Sequence, residues 1–441
     1  MLDIAALCLV ATALLAYANH RLFKLPTTIG VMAIALAISL VIIVLDAFGL
    51  DQGLRRYEES FLRSIDFSDV LMQGMLSFLL FAGALHIDLG TLKARRWQVA
   101  ALALIGTSLS AAVVGLGMWL ALTWIGAPLP LVSCLLFGAL ISPTDPIAVI
   151  GILKSSHAPK SLELVIAGES LFNDGVGVVL FSLLLSVAAS GAAPSVGDTA
   201  GLLVREAGGG IAFGLVLGYV TFRLLKSIDQ YQVEVLITLA AVMGGYALAN
   251  HLHVSGPLAM VVVGLIVGNG GRAFAMSDNT RRYVDMFWEL LDEMLNAVLF
   301  VLLGMEVLVI AFSASHLLSG AIAIAVTLLA RVVTVGLPVR LLRKAWRLPR
   351  HSSRVLVWGG LRGGISVALA LSLPDTPGRD SVLTLTYCVV VFSVLVQGLT
   401  IGRVLRGVSE VDAEPDAVEP RARHASRPGS SSSLNPPRRG R

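Results

Sequence analysis

The sequence predicts an all-α, polytopic membrane protein of about thirteen transmembrane helices, and three observations support this fold class. Hydrophobic residues make up 56% of the 441 residues, the mean hydropathy is +0.82, and only 14% of the residues are charged, whereas a soluble domain carries about 25%. The apolar residues form stretches of about 20, which suits a hydrocarbon core of roughly 30 Å. Short basic loops separate these stretches, so the net charge of +4 does not indicate a nucleic-acid partner.

Thirteen apolar stretches follow one another and form the predicted membrane domain, residues 1–408. We place these spans at residues 3–20, 27–47, 68–87, 98–125, 129–153, 162–190, 200–223, 232–251, 256–270, 286–312, 316–341, 353–374 and 381–405. The first lacks a cationic leader and a cleavage site, so we interpret it as a helix and not as a signal peptide. From residue 409 to 441 the composition changes to Pro, Ser, Arg and Glu, which predicts a disordered tail.

The positive charges of the loops predict the orientation of the chain. Most Lys and Arg residues lie in the loops after spans 1, 3, 5, 7, 9 and 11, and the loops after spans 4, 8 and 10 carry none. By the positive-inside rule, the odd-numbered loops and the C-terminal tail are cytoplasmic, and the N-terminus faces outside. The loop after span 2 is an exception, with Arg55, Arg56 and Arg63.

Two spans are interrupted at corresponding positions, which predicts an inverted repeat. Spans 1–6 and 8–13 form two six-helix halves around span 7, and the fifth span of each half is broken, at residues 142–146 and 358–364. Pro143 and Pro146 disfavour helix at the residue before each of them. Freed carbonyls at membrane depth must be satisfied or must line a wet cavity. Interrupted spans at matching positions indicate a transporter site.

Five charged residues are predicted to lie at membrane depth: Asp145, Glu169, Asp174, Arg331 and Arg362. Buried charges are stable only when they are paired, so two arginines balance two of the three carboxylates. The remaining carboxylate favours binding of a proton or a cation, which is the minimum requirement for exchanging one for the other. For Glu169, a structural ion pair is a better interpretation than ion binding. For Asp174, ion binding is the better interpretation, and this residue shares a helix face with Ser170.

A further polar group opens span 10 and comprises Glu289, Asp292, Glu293 and Asn296. We interpret these residues as a solvated helix entrance, and a vestibule that attracts cations is the alternative. The three cysteines, Cys8, Cys134 and Cys388, are dispersed in apolar segments. Their spacing predicts neither a disulfide framework nor a metal site.

Three motifs in this order resemble those of the monovalent cation:proton antiporters. They are Ser142-Pro143-Thr144-Asp145-Pro146-Ile147-Ala148-Val149, Gly168-Glu169-Ser170-Leu171-Phe172-Asn173-Asp174-Gly175 and Gly359-Gly360-Leu361-Arg362-Gly363-Gly364. The resemblance covers about residues 1–408, and the Asn-Asp pair is similar to the branch of prokaryotic sodium/proton antiporters and animal sodium/proton exchangers. It implies thirteen helices in two inverted repeats, a core and a dimerisation subdomain, and discontinuous helices that cross in the core.

The resemblance also implies the roles of the residues at the ion site. Asp174 is expected to bind the cation or the proton. Ser170 and the backbone carbonyl of Thr144 are expected to complete the site, with Asp145 close by. Asn173 is expected to orient the site, and because it replaces a second aspartate, it implies one-for-one, electroneutral exchange.

Other implied roles are structural. Glu169 is expected to pair with Arg331, and Arg362 is expected to neutralise the helix ends at the crossing. The chain departs from some relatives in span 3. Those relatives carry a glutamate near the ion, whereas this chain has Phe81-Ala82-Gly83 in that neighbourhood. The ion shell of this chain is therefore expected to be incomplete or to be completed by water.

The function that the resemblance implies is exchange of Na⁺, or Li⁺, for H⁺ by a homodimer in a bacterial inner membrane, without a cofactor. A K⁺/H⁺ antiporter of the same fold is the alternative, because cavity size and ligand number set ion selectivity. A cation channel needs no coupling to protons. An intramembrane aspartyl protease needs its second Asp in a Gly-x-Gly-Asp context, whereas Asp174 follows Phe172-Asn173. The chain lacks a phosphate-binding Gly-x-x-x-x-Gly-Lys-Ser/Thr motif, which disfavours a primary pump.

Overall fold

The structure, a computed structural model, describes residues 2–48, 75–155, 160–190, 197, 201, 204–306, 314–346, 348–349, 351–374 and 378–405. The first helices are α1 (Leu2–Ala18), α2 (Thr27–Ala47), α3 (Leu76–Leu85) and α4 (Arg96–Trp124), and the broken α5 comprises α5a (Leu131–Ile141) and α5b (Ile147–Ser155). The central helices are α6 (Lys160–Ser190), α7 (Val204–Lys226), α8 (Tyr231–His251), α9 (Gly256–Gly271) and α10 (Asp278–Glu306). The last are α11 (Ala314–Arg331, prolonged by Val332–Gly336 and Leu337–Leu342), α12a (Ser352–Trp358), α12b (Gly364–Leu371) and α13 (Arg379–Leu405).

The predicted all-α membrane class is confirmed. Across the described ranges, eight helices are long and apolar enough to cross a membrane, and three shorter apolar helices accompany them. The count of thirteen membrane spans stays a prediction, because α5 and α12 are interrupted and α10 carries many charges. The predicted disordered tail, the loop after span 2 and the start of span 3 lie outside the described residues.

Small residues bring α4 and α5a into close contact. A Cβ atom at Gly138 would overlap the backbone carbonyl of Ala111, and one at Gly115 would lie 2.8 Å from the Cα atom of Leu135. Without side chains at these points the two backbones approach directly, as is typical of packing between membrane helices. This contact fixes α5a, the first half of the broken helix, against the long α4.

π-Helical turns interrupt two of the helices that surround α12. In α11 the turn Val332–Gly336 directly follows Arg331, and in α13 the turn Ser393–Gln397 begins at Ser393. Such turns are common at functional sites because they change the direction of the side chains that follow or precede them. Arg331 and Ser393 are among the residues through which α11 and α13 contact the broken helix.

Candidate ion-binding site

The two broken helices cross at their unwound segments. Residues 142–146 separate α5a from α5b, and residues 359–363 separate α12a from α12b. The backbone N–H of Asp145 donates a hydrogen bond of 2.8 Å to the carbonyl of Leu361, and the two residues form an isolated antiparallel bridge. The crossing of discontinuous helices is therefore present, with one backbone partner supplied by each half of the chain.

Arg362 binds the carbonyl groups that the break in α5 leaves free. Its Nη1 atom donates to the carbonyl of Ser142 and, at 2.7 Å, to the carbonyl of Pro143. Its own backbone N–H donates to the Ser393 hydroxyl at 2.8 Å. A cation is stabilised at a helix C-terminus because the helix dipole is negative there. The charge of buried Arg362 thus lies where α5a ends.

Two glycines allow charged side chains to approach the crossing. A Cβ atom at Gly360 would overlap the guanidinium group of Arg331, and one at Gly363 would overlap the carboxylate of Asp145. A residue with a Cβ atom at either position would displace a charged group. Glycine at both positions therefore leaves room for the two charged groups.

Asn173 connects the unwound segment to α6. Its Nδ2 atom donates to the Thr144 hydroxyl at 2.8 Å, and its Oδ1 atom accepts from the Thr144 backbone N–H at 3.3 Å. The hydroxyls of Thr144 and Ser170 lie 3.0 Å apart. Because Thr144 Oγ1 already accepts a hydrogen bond from Asn173, its proton is free for Ser170. The amide thus holds the unwound segment against the helix that carries Asp174.

Asp174 faces a cavity of about 410 Å³ that Thr144 and Asp145 also line. Only 8% of its surface is exposed. Asp174 and Asp145 line this cavity together. Two carboxylates beside one buried cavity favour a cation or a proton between or beside them.

Glu169 and Arg331 form a buried ion pair. Arg331 Nη1 donates to Glu169 Oε1 at 2.6 Å, and the side chains of Arg331 and Glu169 are only 8% and 2% exposed, respectively. Arg331 Nε and Nη2 also donate to the carbonyl of Leu356, at 3.2 and 3.1 Å. Arg331 thus links α6 to α12a, and Glu169 does not line the cavity of Asp174.

Three acidic residues of α10 line the same cavity as Asp174. They are Glu289, Asp292 and Glu293, with Asn296 one turn further on. Asn296 Nδ2 donates to the Asp292 carbonyl at 2.8 Å and to its carboxylate at 3.2 Å, and Asp292 lies close enough to Asp145 for their charges to interact. This placement fits the alternative of a cation vestibule better than a simple helix entrance. Their spacing of three and four residues, which puts them on one helix face, could have indicated this.

The lining of the cavity is rich in carboxyl groups. Besides the carboxylates already described, Glu163 contributes to it, and none of the described residues that line it is a lysine or an arginine. Negative charge in a confined site raises the local concentration of cations. The arrangement can therefore attract a cation to the cavity that Asp174 lines.

Broken helices that cross beside a buried carboxylate define a secondary transporter and not an enzyme. Residues 10–407 match the family model described as "Sodium/hydrogen exchanger, transmembrane", and the chain belongs to this family. It is 52% identical to the Na(+)/H(+) antiporter NhaP of Pseudomonas aeruginosa, over 92% of this chain and 97% of that protein. It is 35% identical to the Na(+)/H(+) antiporter NhaH of Halobacillus dabanensis, over 90% and 96%.

A solved structure has the same fold. The sodium proton antiporter MjNhaP1 from Methanocaldococcus jannaschii, at pH 8, aligns with a TM-score of 0.66 and 22% identity, over 91% of this chain and 97% of that chain. The predicted antiporter fold, with crossed discontinuous helices, is thereby confirmed.

Proposed function

We propose that this protein is a secondary active antiporter that exchanges Na⁺ for H⁺ across the membrane, with Asp174 as the group that binds either ion. The observation that carries this proposal is the buried Asp174 carboxylate in a negative cavity next to two crossed, unwound helix segments. The relatives at 52% and 35% identity are Na⁺/H⁺ antiporters by name. A K⁺/H⁺ antiporter is therefore not favoured.

Exchange follows from the charge of one site. A bare carboxylate in low dielectric costs several kcal/mol, whereas a carboxylate that holds Na⁺ or H⁺ is neutral. The loaded site can thus change its exposure from one membrane side to the other, and the empty site cannot. Alternate loading with Na⁺ and H⁺ couples the two movements.

The neighbouring residues would support this cycle in different ways. Ser170 and Thr144 would supply oxygen ligands beside Asp174, which suit a small hard cation, and Asp145 would raise the local negative potential. Asn173 would keep Thr144 in place through its two hydrogen bonds.

The charged residues away from the cavity would have structural roles. Glu169 and Arg331 would join α6 to α12a through their 2.6 Å ion pair. Arg362 would neutralise the carbonyl end of α5a. Neither arginine lines the cavity of Asp174.

We further propose that the protein works as a homodimer in a bacterial inner membrane and also accepts Li⁺. Residues 1–408 would form the transport domain, with core and dimerisation subdomains. The basic loops after the odd-numbered spans support a cytoplasmic C-terminus and an external N-terminus. Lipid would surround the exposed apolar faces of the helices.

Purified protein in liposomes tests the proposed function. The interior of the liposomes is first made more acidic than the outside. Na⁺, Li⁺, K⁺ or choline is then added outside while the internal pH is recorded. Na⁺ and Li⁺ are expected to drive proton movement, and K⁺ is expected to have little effect. Cation flux that continues without any proton movement would indicate a channel, and a response to K⁺ alone would indicate a K⁺/H⁺ antiporter.

Transport is expected to be electroneutral, because Asp174 holds one cation or one proton and Asn173 provides no second titrating group. The rate of Na⁺-driven proton movement should not change when the membrane potential is clamped at different values with potassium and valinomycin. A rate that scales with the potential, or a steady current on a solid-supported membrane, would contradict one-for-one exchange.

Asp292→Asn is expected to raise the apparent KM for Na⁺ by roughly three- to tenfold, with a smaller change in the maximal rate, because one charge that attracts cations into the cavity is lost. The effect should shrink at high ionic strength. Asp278→Asn is the matched control, since Asp278 is an exposed carboxylate at the start of the same helix and does not line the cavity. Equal changes in the two variants would argue against a vestibule role.

A further inference from the structure

A second cavity, of about 400 Å³, lies between α11, α12a and α13 and shares no lining residue with the ion cavity. We call it the α11–α13 groove. Most of its lining is apolar and comprises Val332, Leu337, Val357, Trp358 and Val404. Its remaining lining residues are Gly336, Ser353, Arg340 and Arg354.

The groove has an apolar end and a basic end. Arg331 contacts Leu356, and the Ser353 hydroxyl donates to the carbonyl of Gly336 at 2.8 Å, so α11 and α12a run antiparallel. Val332 and Trp358 therefore lie at the end nearer the helix break and Arg340 lies at the other end, with Arg354, next to Ser353, between them. Eight residues of helix separate Val332 from Arg340, which corresponds to about 12 Å.

The chain segment that carries both arginines contains no acidic residue. The sequence has no Asp or Glu from residue 307 to 374. The connection between α11 and α12a adds further positive charges, among them Arg343 and Lys344. Arg340 and Arg354 are both exposed. Neither takes part in an ion pair with another residue that the structure describes. Two guanidinium groups without a carboxylate suit an anion, and arginine binds phosphate particularly well.

The surface beside the groove is apolar and exposed. Val332 is 48% exposed, Leu337 is 50% exposed and Leu341 is 72% exposed. In a protein that crosses the membrane many times, such a surface faces lipid. A ligand that enters from this side must carry an apolar chain toward the helix break and an anionic group at the basic end. Basic pockets between membrane helices bind anionic lipid headgroups in this way.

We propose that the α11–α13 groove binds one anionic glycerophospholipid. Its phosphate is held by Arg340 and Arg354, and one acyl chain lies along Val332, Val357 and Trp358. This site is separate from ion exchange and does not depend on the proposed transport function. Because α12a also provides the Leu356 carbonyl for Arg331, the bound lipid stabilises this half of the broken helix.

Delipidated protein in a neutral detergent tests the proposal by native mass spectrometry and thermal unfolding. Phosphatidylglycerol is expected to bind and to raise the melting temperature, and phosphatidylcholine is expected to bind at least tenfold more weakly. The double variant Arg340→Gln/Arg354→Gln should lose this preference. Val332→Trp, which fills the apolar end and keeps both arginines, should weaken phosphatidylglycerol binding as well.

Matched controls separate a built site from general surface charge. Arg223→Gln/Arg282→Gln removes two exposed arginines, one near the end of α7 and one near the start of α10. Both arginines lie beside basic loops other than the one between α11 and α12a. This variant should bind phosphatidylglycerol like the parent. The proposal is overturned if it loses as much binding as Arg340→Gln/Arg354→Gln, if Val332→Trp binds normally, or if sodium phosphate alone gives the same thermal shift.

Discussion

Asp174→Asn is expected to reduce Na⁺-driven proton movement to the level of liposomes without protein. The carboxamide has nearly the size of the carboxylate but carries no charge, so it can neither hold a proton at working pH nor neutralise Na⁺. Folding should persist, because the substitution keeps the shape of the side chain and removes a carboxylate from a buried position. Pyranine fluorescence in proteoliposomes measures exchange, and thermal unfolding in detergent measures stability.

Asp278→Asn serves as a control for this variant too, because it removes a carboxylate from an exposed position. It should transport and melt like the parent. Robust Na⁺-dependent proton movement by Asp174→Asn would refute the central role of Asp174, whichever cation the protein prefers. A variant that is inactive and also unfolded would instead refute the expectation that Asp174 is dispensable for the fold.

Glu169→Ala is expected to have the largest effect on stability. It leaves the Arg331 guanidinium without its carboxylate in a buried position, and breaking a buried pair costs on the order of 3–5 kcal/mol. The melting temperature in detergent should fall markedly. The apparent affinity for Na⁺ in the protein that remains folded should change little, because Glu169 does not line the ion cavity.

Two further variants show whether the pair is the cause. Glu169→Leu combined with Arg331→Met removes both charges and should recover much of the loss, since apolar replacements of buried ion pairs are often tolerated. Glu169→Arg combined with Arg331→Glu should recover only part, because the new glutamate cannot donate to the Leu356 carbonyl. If Glu169→Ala melts like the parent and changes only cation affinity, Glu169 is a ligand.

The break in α5 was predictable because its cause is local. Pro143 and Pro146 disfavour helix whatever surrounds them, and the structure places the unwound residues at 142–146, between α5a and α5b. The partner of the break was not predictable in the same way. The contact of Asp145 with Leu361 joins residues more than 200 positions apart, and no local pattern encodes it.

Charge counting was informative but incomplete. It assigned both arginines to carboxylates, whereas Arg362 donates to the carbonyls of Ser142 and Pro143 in the structure. Unsatisfied carbonyls at a helix end need a hydrogen-bond donor as a buried carboxylate does. The position of these carbonyls depends on how the two broken helices cross. The count also left out Asp292, because the direction in which α10 presents its acidic face depends on its packing against the rest of the bundle.

The two glycines at the crossing constrain how the family can diverge. Gly360 faces the guanidinium of Arg331, and Gly363 faces the carboxylate of Asp145. A missense change at either codon adds at least a methyl group, and the charged neighbour must then move as well. We therefore expect a second substitution at the neighbour to ease such a change. In evolutionary terms, we expect each glycine to be coupled to the charged residue that it accommodates, so that the effect of a substitution at one depends on the residue at the other.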